Sequence, residues 1–103
     1  MAGFNASVGN VQLISLTDGH GEGDPVEIFP ASSIDRWRND YAAQLDSNGK
    51  IHPRFGCLAV KSNGKLIIVD TGMDGTLIED LQQKNISLDS VDIVVITHMH
   101  PDH

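Results

Sequence analysis

Two short, continuous apolar runs in the second half of the sequence constrain the fold most. One is Leu66–Val69, which reads Leu-Ile-Ile-Val, and the other is Ile93–Ile96, which reads Ile-Val-Val-Ile. Apolar runs of this length without alternating polar residues are typical of strands covered on both faces. The chain is therefore expected to place two such strands inside a layered α/β domain.

The segment between these runs has the pattern of a short helix. Leu77, Ile78 and Leu81 are spaced to lie on one helical face, and Thr76 with Glu79 forms a capping-box pattern. The order strand, helix, strand predicts a βαβ unit with two parallel strands and a right-handed crossover. Ligands of α/β sheets bind at the carboxyl ends of parallel strands. This edge of the sheet is therefore the predicted site.

A hairpin is predicted just before the βαβ unit. Phe55–Lys61 and Lys65–Asp70 are rich in strand-forming residues and are joined by Ser62, Asn63 and Gly64. An Asn-Gly pair favours the tight turn with positive φ that connects antiparallel strands. The sequence thus predicts a mixed sheet, in which a hairpin leads into the βαβ unit.

The first half of the sequence is less regular. Val11–Thr17 alternates well enough for a strand, and a glycine-rich loop is expected from Asp18 to Gly23. Ile34–Leu45 has the pattern of a short helix around Trp37 and Tyr41. Those two aromatic side chains fit simple packing across one helical turn, although they could also line a substrate pocket.

The last six residues carry the strongest chemical signal. They read His98, Met99, His100, Pro101, Asp102 and His103, which gives four potential metal ligands. Proline holds its predecessor in extended backbone, so the two His-x-His imidazoles should lie on one face and share an ion. Pro101 suits the first position of a following helix, which would put Asp102 and His103 in its first turn, near a second ion.

Composition narrows the partners and the location. The formal net charge is −7, which disfavours binding to nucleic acid or an anionic membrane surface. The single cysteine, Cys57, lies among apolar residues and is expected to be buried and inert. The first ten residues contain no basic or apolar segment of a signal peptide, and no stretch approaches membrane-spanning length. A cytoplasmic protein is the expectation.

These residues resemble the metallo-β-lactamase superfamily. The resemblance rests on the His-x-His-x-Asp-His pattern at 98–103, on Asp70-Thr71-Gly72 after an apolar strand, and on the order of hairpin and βαβ unit. It implies a four-layered αβ/βα sandwich made of two similar halves. It also implies metal-dependent hydrolysis of lactams, lactones, thioesters, or phosphate and aryl esters. The segment from Ile67 to His103 looks most like the lactonase and aryl-esterase branch.

The resemblance also assigns roles to individual residues. His98 and His100 are expected to bind the first metal ion, and Asp102 and His103 the second, with zinc as the expected ion and iron or manganese as alternatives. Asp102 is expected to orient the attacking hydroxide and to accept its proton as the catalytic residue. Asp70 is expected to hold the ligand loop from behind. The family takes its other ligands from its second half.

The expectation for the whole chain is therefore half of such a sandwich. Residues 1–103 are predicted to form a truncated N-terminal half-domain of a metal-dependent hydrolase with a small-molecule substrate, itself inactive. One alternative is a non-catalytic dimeric module that binds metal or serves as structure, and another is an iron dioxygenase of the same fold. Strands that are apolar on both faces would leave one sheet face exposed, so a homodimer through that face is expected.

Overall fold

A computed structural model describes residues 4–103. Residues 1–3, the start of the stretch in which no signal peptide is predicted, lie outside the described part. The described chain forms two compact units. One runs up to Gly19 and resumes from Phe55 to His103, and the other is His20–Arg54. The first unit contains almost all of the sheet and the predicted site.

Five strands form one mixed sheet in the order β1-β2-β3-β4-β5. They are, in chain order, β1 Asn5–Val8, β2 Val11–His20, β3 Arg54–Ser62, β4 Lys65–Val69 and β5 Ile93–Val95. Strands β1 and β2 pair antiparallel, as do β3 and β4, whereas β4 and β5 are parallel. The predicted mixed sheet, with its hairpin and parallel pair, is present.

The β3–β4 hairpin follows the sequence prediction closely. Ser62 pairs with Lys65, so the turn consists of two residues, Asn63 and Gly64. Their φ angles are 51° and 74°, which is the left-handed conformation that an Asn-Gly turn requires. Local sequence alone therefore sets the register of this pair.

The prediction of a glycine-rich loop from Asp18 to Gly23 is wrong for its first three residues. Strand β2 continues to His20, and the φ of Gly19, 102°, is the only left-handed angle inside the strand. Glycine tolerates this angle without strain, so the residue that suggested a loop bends the strand without ending it. The side chain of Asp18 consequently belongs to a strand and is buried.

Helix α3, Leu77–Gln83, connects the parallel strands as predicted, but its start differs from the expected capping box. Thr76 makes no side-chain capping bond. The Asp18 carboxylate on β2 instead accepts the first helical amide, from Leu77, at 3.0 Å. Leu77 and Leu81 are buried, whereas Ile78 is exposed. A distant carboxylate has replaced the local cap, which no sequence window around Thr76 could reveal.

One face of the sheet carries the core. Alternate residues of β2, β3 and β4 pack with α3 and the loop after it in one cluster: Ile14, Leu16, Cys57, Ala59, Leu66, Ile68, Leu77, Leu81 and Ile86. The Asp80 carboxylate on α3 accepts from the backbone amide of Thr17 at 2.9 Å and from Lys84 Nζ at 2.8 Å. The Lys84 ammonium also donates to the Ser15 carbonyl at 2.7 Å. Both contacts hold α3 against β2.

The opposite face, which we call the open face, is apolar but only partly buried. Its register places the following residues in neighbouring positions: Leu58, Val60, Ile67, Val69, Ile93 and Val95. The members on β3 and β4 are half-buried, while Ile93 and Val95 on β5 are 46% and 43% exposed. The expectation that one sheet face lacks a cover therefore agrees with the described structure.

The segment His20–Arg54 contains short elements. Helix α1 is Pro25–Ile28 and helix α2 is Ile34–Asp40, followed by a 3-10 turn at Ala42–Gln44. The helix predicted over residues 34–45 thus ends earlier. The Trp37 ring lies 5.5 Å from the Tyr41 ring, so the two pack across a helical turn as expected. Among residues 4–103, no helix is long and apolar enough to cross a membrane.

Candidate functional site

The predicted site lies where β4 and β5 end. Asp70 directly follows β4, and its backbone amide donates to the Val95 carbonyl, the last residue of β5, at 2.8 Å. Thr97 and His98 follow Val95 two and three residues later. Because the strands are parallel and adjacent, their carboxyl ends meet at one edge. The edge predicted from the βαβ pattern is thus the edge at which the polar residues collect.

Asp70 is the centre of the hydrogen-bond network at this edge. Its carboxylate accepts from the Thr97 backbone amide at 2.9 Å, from Thr97 Oγ1 at 2.9 and 3.0 Å, and from His103 Nδ1 at 2.9 Å. The pKa of Asp70 is lowered, chiefly by the Thr97 backbone amide, while burial opposes the shift and the His103 and Thr97 side chains add to it. The ionised carboxylate orients the His103 ring.

All three of the predicted ligand imidazoles come together. The ring centroids of His98 and His100 are 4.6 Å apart with an interplanar angle of 76°, and those of His98 and His103 are 3.9 Å apart at 47°. His98 Nδ1 lies 3.0 Å from Thr97 Oγ1. The structure thus brings His103 next to His98 as well as next to Asp70, a proximity that the spacing of the motif did not predict.

Asp102 and the main chain of His103 complete the cluster. One carboxylate oxygen of Asp102 lies 3.5 Å from His103 Nε2. The His103 amide donates to the His100 carbonyl at 3.1 Å, which closes a turn. This turn lies where a helix was predicted to begin at Pro101, and the three residues from Pro101 to His103 are too few to test that prediction. The i to i+3 bond curls His103 back towards Asp70.

The residues fit a metal ion in chemistry but not in their described arrangement. Imidazole and carboxylate are the ligand types that zinc, iron and manganese take in proteins. Catalytic zinc usually has three protein ligands. Within residues 4–103, no group of three or more His, Cys, Asp or Glu side chains is arranged to hold one ion. His103 Nδ1 is bonded to the Asp70 carboxylate, so Nε2 is the nitrogen of this ring that is left for an ion.

The other two histidines lie in the segment 20–54 and form a separate pair. The rings of His20 and His52 are 5.3 Å apart, and His52 Nε2 lies 2.7 Å from an Asp46 carboxylate oxygen. The same Asp46 carboxylate accepts from the backbone amides of Asn48 and Lys50. This cluster therefore closes the loop from Asp46 to His52.

Two residues of the site were missed at the sequence level. Thr71 donates from its backbone amide and from Oγ1 to the His103 carbonyl, at 2.7 and 3.0 Å. Asp18 accepts amides of the loop that follows Thr71. The Asp-Thr-Gly sequence around Thr71 was an available signal. Asp18 offered none, because an Asp-Gly pair after a strand is usually a turn.

A cavity lies apart from these histidines. It has a volume of about 570 Å³ and is lined by residues of α3, of the loops beside it and of the sheet, including Ile68, Leu77, Leu81 and Val94. None of the histidines lines it. Its walls are mostly apolar, although Asp18, Thr71 and Asp74 also line it. The candidate chemistry lies at the strand ends instead.

Sequence comparison identifies the superfamily of the C-terminal segment. Residues 57–103 match the family model of the metallo-beta-lactamase superfamily. Among curated protein sequences, none matches the chain significantly. The matched segment contains β4, α3, β5 and the whole terminal motif. This segment is therefore similar to the metallo-beta-lactamase superfamily, as the resemblance implied.

Solved structures extend the likeness to the whole chain. AidC, a dizinc quorum-quenching lactonase solved with a product, aligns with 99% of this chain at a TM-score of 0.85 and 25% identity. The hydrolase AbOPH of the beta-lactamase superfamily aligns at 0.78 and 21%, and a probable metal-dependent hydrolase from Staphylococcus aureus at 0.75 and 20%, over 100% and 95% of this chain. The predicted half of the sandwich fold is confirmed.

The chain is much shorter than these proteins. It covers 37% of the AidC chain, 38% of AbOPH and 41% of the Staphylococcus aureus protein. The similarity at 20% and 21% identity concerns the fold alone. The part of the fold that this chain represents is the part that carries the His-x-His-x-Asp-His motif.

Proposed function

We propose that this chain supplies one part of the active site of a metal-dependent hydrolase. The observation that carries the proposal is the meeting of His98, His100 and His103 at the carboxyl ends of β4 and β5, with Asp70 bonded to His103. His98 and His100 would hold one zinc ion, and Asp102 and His103 a second. Zinc supplies Lewis-acid activation of a carbonyl and of water when bound.

The chain's own residues have separate tasks in this proposal. Asp70 fixes the ring of His103, and Thr97 keeps the Asp70 carboxylate ionised and in place. Asp102, half-buried beside His103, is the group proposed to hold the proton taken from the attacking water. Outer contacts of this kind determine which nitrogen of a histidine can face a metal.

A lactone or a related ester is the proposed substrate class. This assignment is supported by the likeness to a lactonase solved with its product, and by the family of residues 57–103. A cytoplasmic location is part of the same proposal, since the single cysteine is buried and needs no oxidising compartment. The acidic net charge favours a small-molecule substrate over nucleic acid or an anionic membrane.

Zinc binding tests the proposal directly. The double variant His98→Ala/His100→Ala should lose zinc that the unaltered chain binds in a titration. The matched control is His20→Ala/His52→Ala, which removes the same number of imidazoles from the segment 20–54 and should bind as the unaltered chain does. Equal zinc content in all three proteins would contradict the assignment. Elemental analysis that finds iron instead would favour a dioxygenase of the same fold.

The chain on its own is proposed to have negligible hydrolase activity. The reason is that the described residues form no three-ligand group, and the loss of even one outer contact of a metal site typically costs about 10- to 100-fold. The measurement is turnover of a lactone and an aryl ester with added zinc. Zinc-dependent turnover that disappears in Asp102→Asn would show this part of the proposal to be wrong.

A non-catalytic dimeric module is the second candidate, favoured by the open face. This face joins half-buried residues of β3 and β4 to Ile93 and Val95, and a contiguous apolar surface of this kind commonly marks an interface. A two-fold dimer would use the same patch on both subunits. Sedimentation should give a dimer that Val95→Lys converts to monomer, with Val8→Lys, exposed on β1, as the control. A monomer at micromolar concentration would exclude this candidate.

A further inference from the structure

Asp18 is a buried carboxylate whose bonds all go to one loop. Its side chain is 3% exposed. One oxygen accepts from the Met73 amide at 2.8 Å, and the other from the Leu77 amide at 3.0 Å, while the Gly75 amide reaches both at 3.0 and 3.1 Å. Two backbone amides of the segment between β4 and α3, and the first amide of α3, therefore depend on one side chain of β2.

The segment is also fitted sterically to Asp18. A Cβ built on Gly72 would lie 2.3 Å from the Asp18 carboxylate, and a Cβ on Gly75 would lie 2.1 Å from the Asp18 carbonyl oxygen. That carbonyl accepts from the Thr76 amide at 3.1 Å. Only glycine permits so close an approach at both positions. The two glycines and the carboxylate thus act as one unit that fixes the path of residues 71–76.

The N-terminal end of this loop, at Thr71, contacts the candidate site. The Thr71 backbone amide and Oγ1 both donate to the carbonyl of His103, at 2.7 and 3.0 Å. The ring of the same histidine bonds to Asp70, the residue before Thr71. The loop therefore links Asp18 at one end to the main chain of His103 at the other.

We propose that Asp18 is the positioning residue for His103. Its carboxylate fixes loop 71–76, the loop presents Thr71 to the His103 carbonyl, and the histidine backbone is held while Asp70 orients the ring. Asp18 touches neither the imidazoles nor a substrate in this role. The inference rests on the proposed function only in taking His103 as a metal ligand. The mechanical link itself is independent of metal.

Amide hydrogen exchange without metal tests the link. The rate is compared at Thr71, whose amide bonds to His103, and at Ile68 in the central strand β4. In Asp18→Asn one acceptor becomes a donor facing loop amides, so Thr71 exchange should rise about tenfold relative to Ile68. Asp80→Asn is the matched control: this carboxylate also joins α3 to β2, but through Thr17 and Lys84. In Asp80→Asn the ratio of the Thr71 exchange rate to the Ile68 exchange rate should stay unchanged.

A second variant covers the case in which Asp18→Asn does not fold. Gly75→Ala keeps the carboxylate but pushes the loop from it, and should raise the same ratio. An unchanged ratio in the folded variants, or an equal rise in Asp80→Asn, would overturn the inference. Zinc titration then separates the two proposals: affinity should fall about tenfold in Asp18→Asn and not in Asp80→Asn. An unaltered chain that binds no zinc would refute the proposed function and leave the exchange result standing.

Discussion

The sheet with α3 and the segment His20–Arg54 differ in how side chains are buried. In the sheet unit, residues from β2, β3, β4 and α3 form one continuous cluster in which Leu16 and Ala59 are completely inaccessible. In the segment 20–54, the described buried residues are Pro25 and Ile51, and the Phe29 and Tyr41 side chains are about half exposed. The sheet unit is held mainly by packing, whereas the segment is held by turns, by local hydrogen bonds and by the backbone bridge between Gly23 and Ile51.

The two regions also use their carboxylates differently. Asp18 and Asp46 each accept several backbone amides, and both close a loop. Asp18 reaches across the fold to residues 73–77 and is buried, while Asp46 bonds to residues within six positions of itself and is partly exposed. A long-range buried anchor stabilises tertiary structure, and a short-range exposed one stabilises a turn.

The largest expected effect comes from equal truncations in the two regions. Leu16→Ala should lower the free energy of unfolding by about 2–5 kcal/mol, because the site is fully buried in the cluster. Leu45→Ala removes the same atoms from a half-buried position and should cost about 1 kcal/mol or less. Urea unfolding measures both. Similar costs would mean that the segment 20–54 has a core of comparable quality.

The next effect sharpens the contrast between the carboxylates. Asp18→Ala leaves one buried amide and two part-buried amides without their acceptor and should lower the free energy of unfolding by about 2 kcal/mol. Asp46→Ala should cost clearly less, because water can replace the lost acceptor at a partly exposed loop. Urea midpoints of the two variants give the comparison. A larger loss of stability in Asp46→Ala than in Asp18→Ala would contradict this contrast between the two carboxylates.

The sheet unit was also the better predicted region, for a physical reason. The Asn63-Gly64 hairpin, the parallel pair of strands and the collection of Asp70 with the histidines follow from short-range patterns and from the rule for parallel strand ends. The start of α3 did not follow, because its cap comes from Asp18, far away in sequence. The position of the His103 ring against His98 likewise depends on a tertiary bond to Asp70.

Periodicity predicted most of the elements, though not β1 or α1, and it did not predict how well each element is covered. Strands β4 and β5 consist of nearly the same apolar residue types. Even so, Ile68 is 4% exposed, whereas its partner Val94 is 53% exposed. In the segment 20–54 the helix was predicted too long. It ends at Asp40, and the chain continues through a 3-10 turn at residues 42–44 that has no distinct sequence signature.

Replacing a turn glycine by alanine should have a smaller effect on stability, and this effect should be the same in both regions. Gly49 in the segment 20–54 and Gly64 in the hairpin have φ angles of 73° and 74°, and a Cβ at either position would meet nothing within 4 Å. Alanine at each should therefore cost about 1–2 kcal/mol, from the left-handed backbone alone. Thermal or urea unfolding of the two variants tests this. Unequal costs would show that one turn contributes more than its own backbone conformation.

The smallest effect concerns pH and the loop of Asp46. The pKa of Asp46 is lowered from its ordinary value of 3.8, first by the Lys50 backbone amide and then by the hydrogen bond from His52, with the Asn48 amide adding to the effect and burial opposing it. A carboxyl whose pKa is depressed by folding contributes stability that is fully present above its unfolded pKa and is lost as the pH falls through the folded value. Asp46→Asn should therefore be less stable than the unaltered chain near neutral pH, and this difference should shrink as the pH falls below 3.8. Urea midpoints across that range, with an NMR titration of the Asp46 carboxyl, provide the test.

Because the bonds of Asp46 are local, hydrogen exchange at the Thr71 amide should not respond to Asp46→Asn near neutral pH. A difference that grows on acidification would mean that the Asp46 carboxylate does not hold this loop.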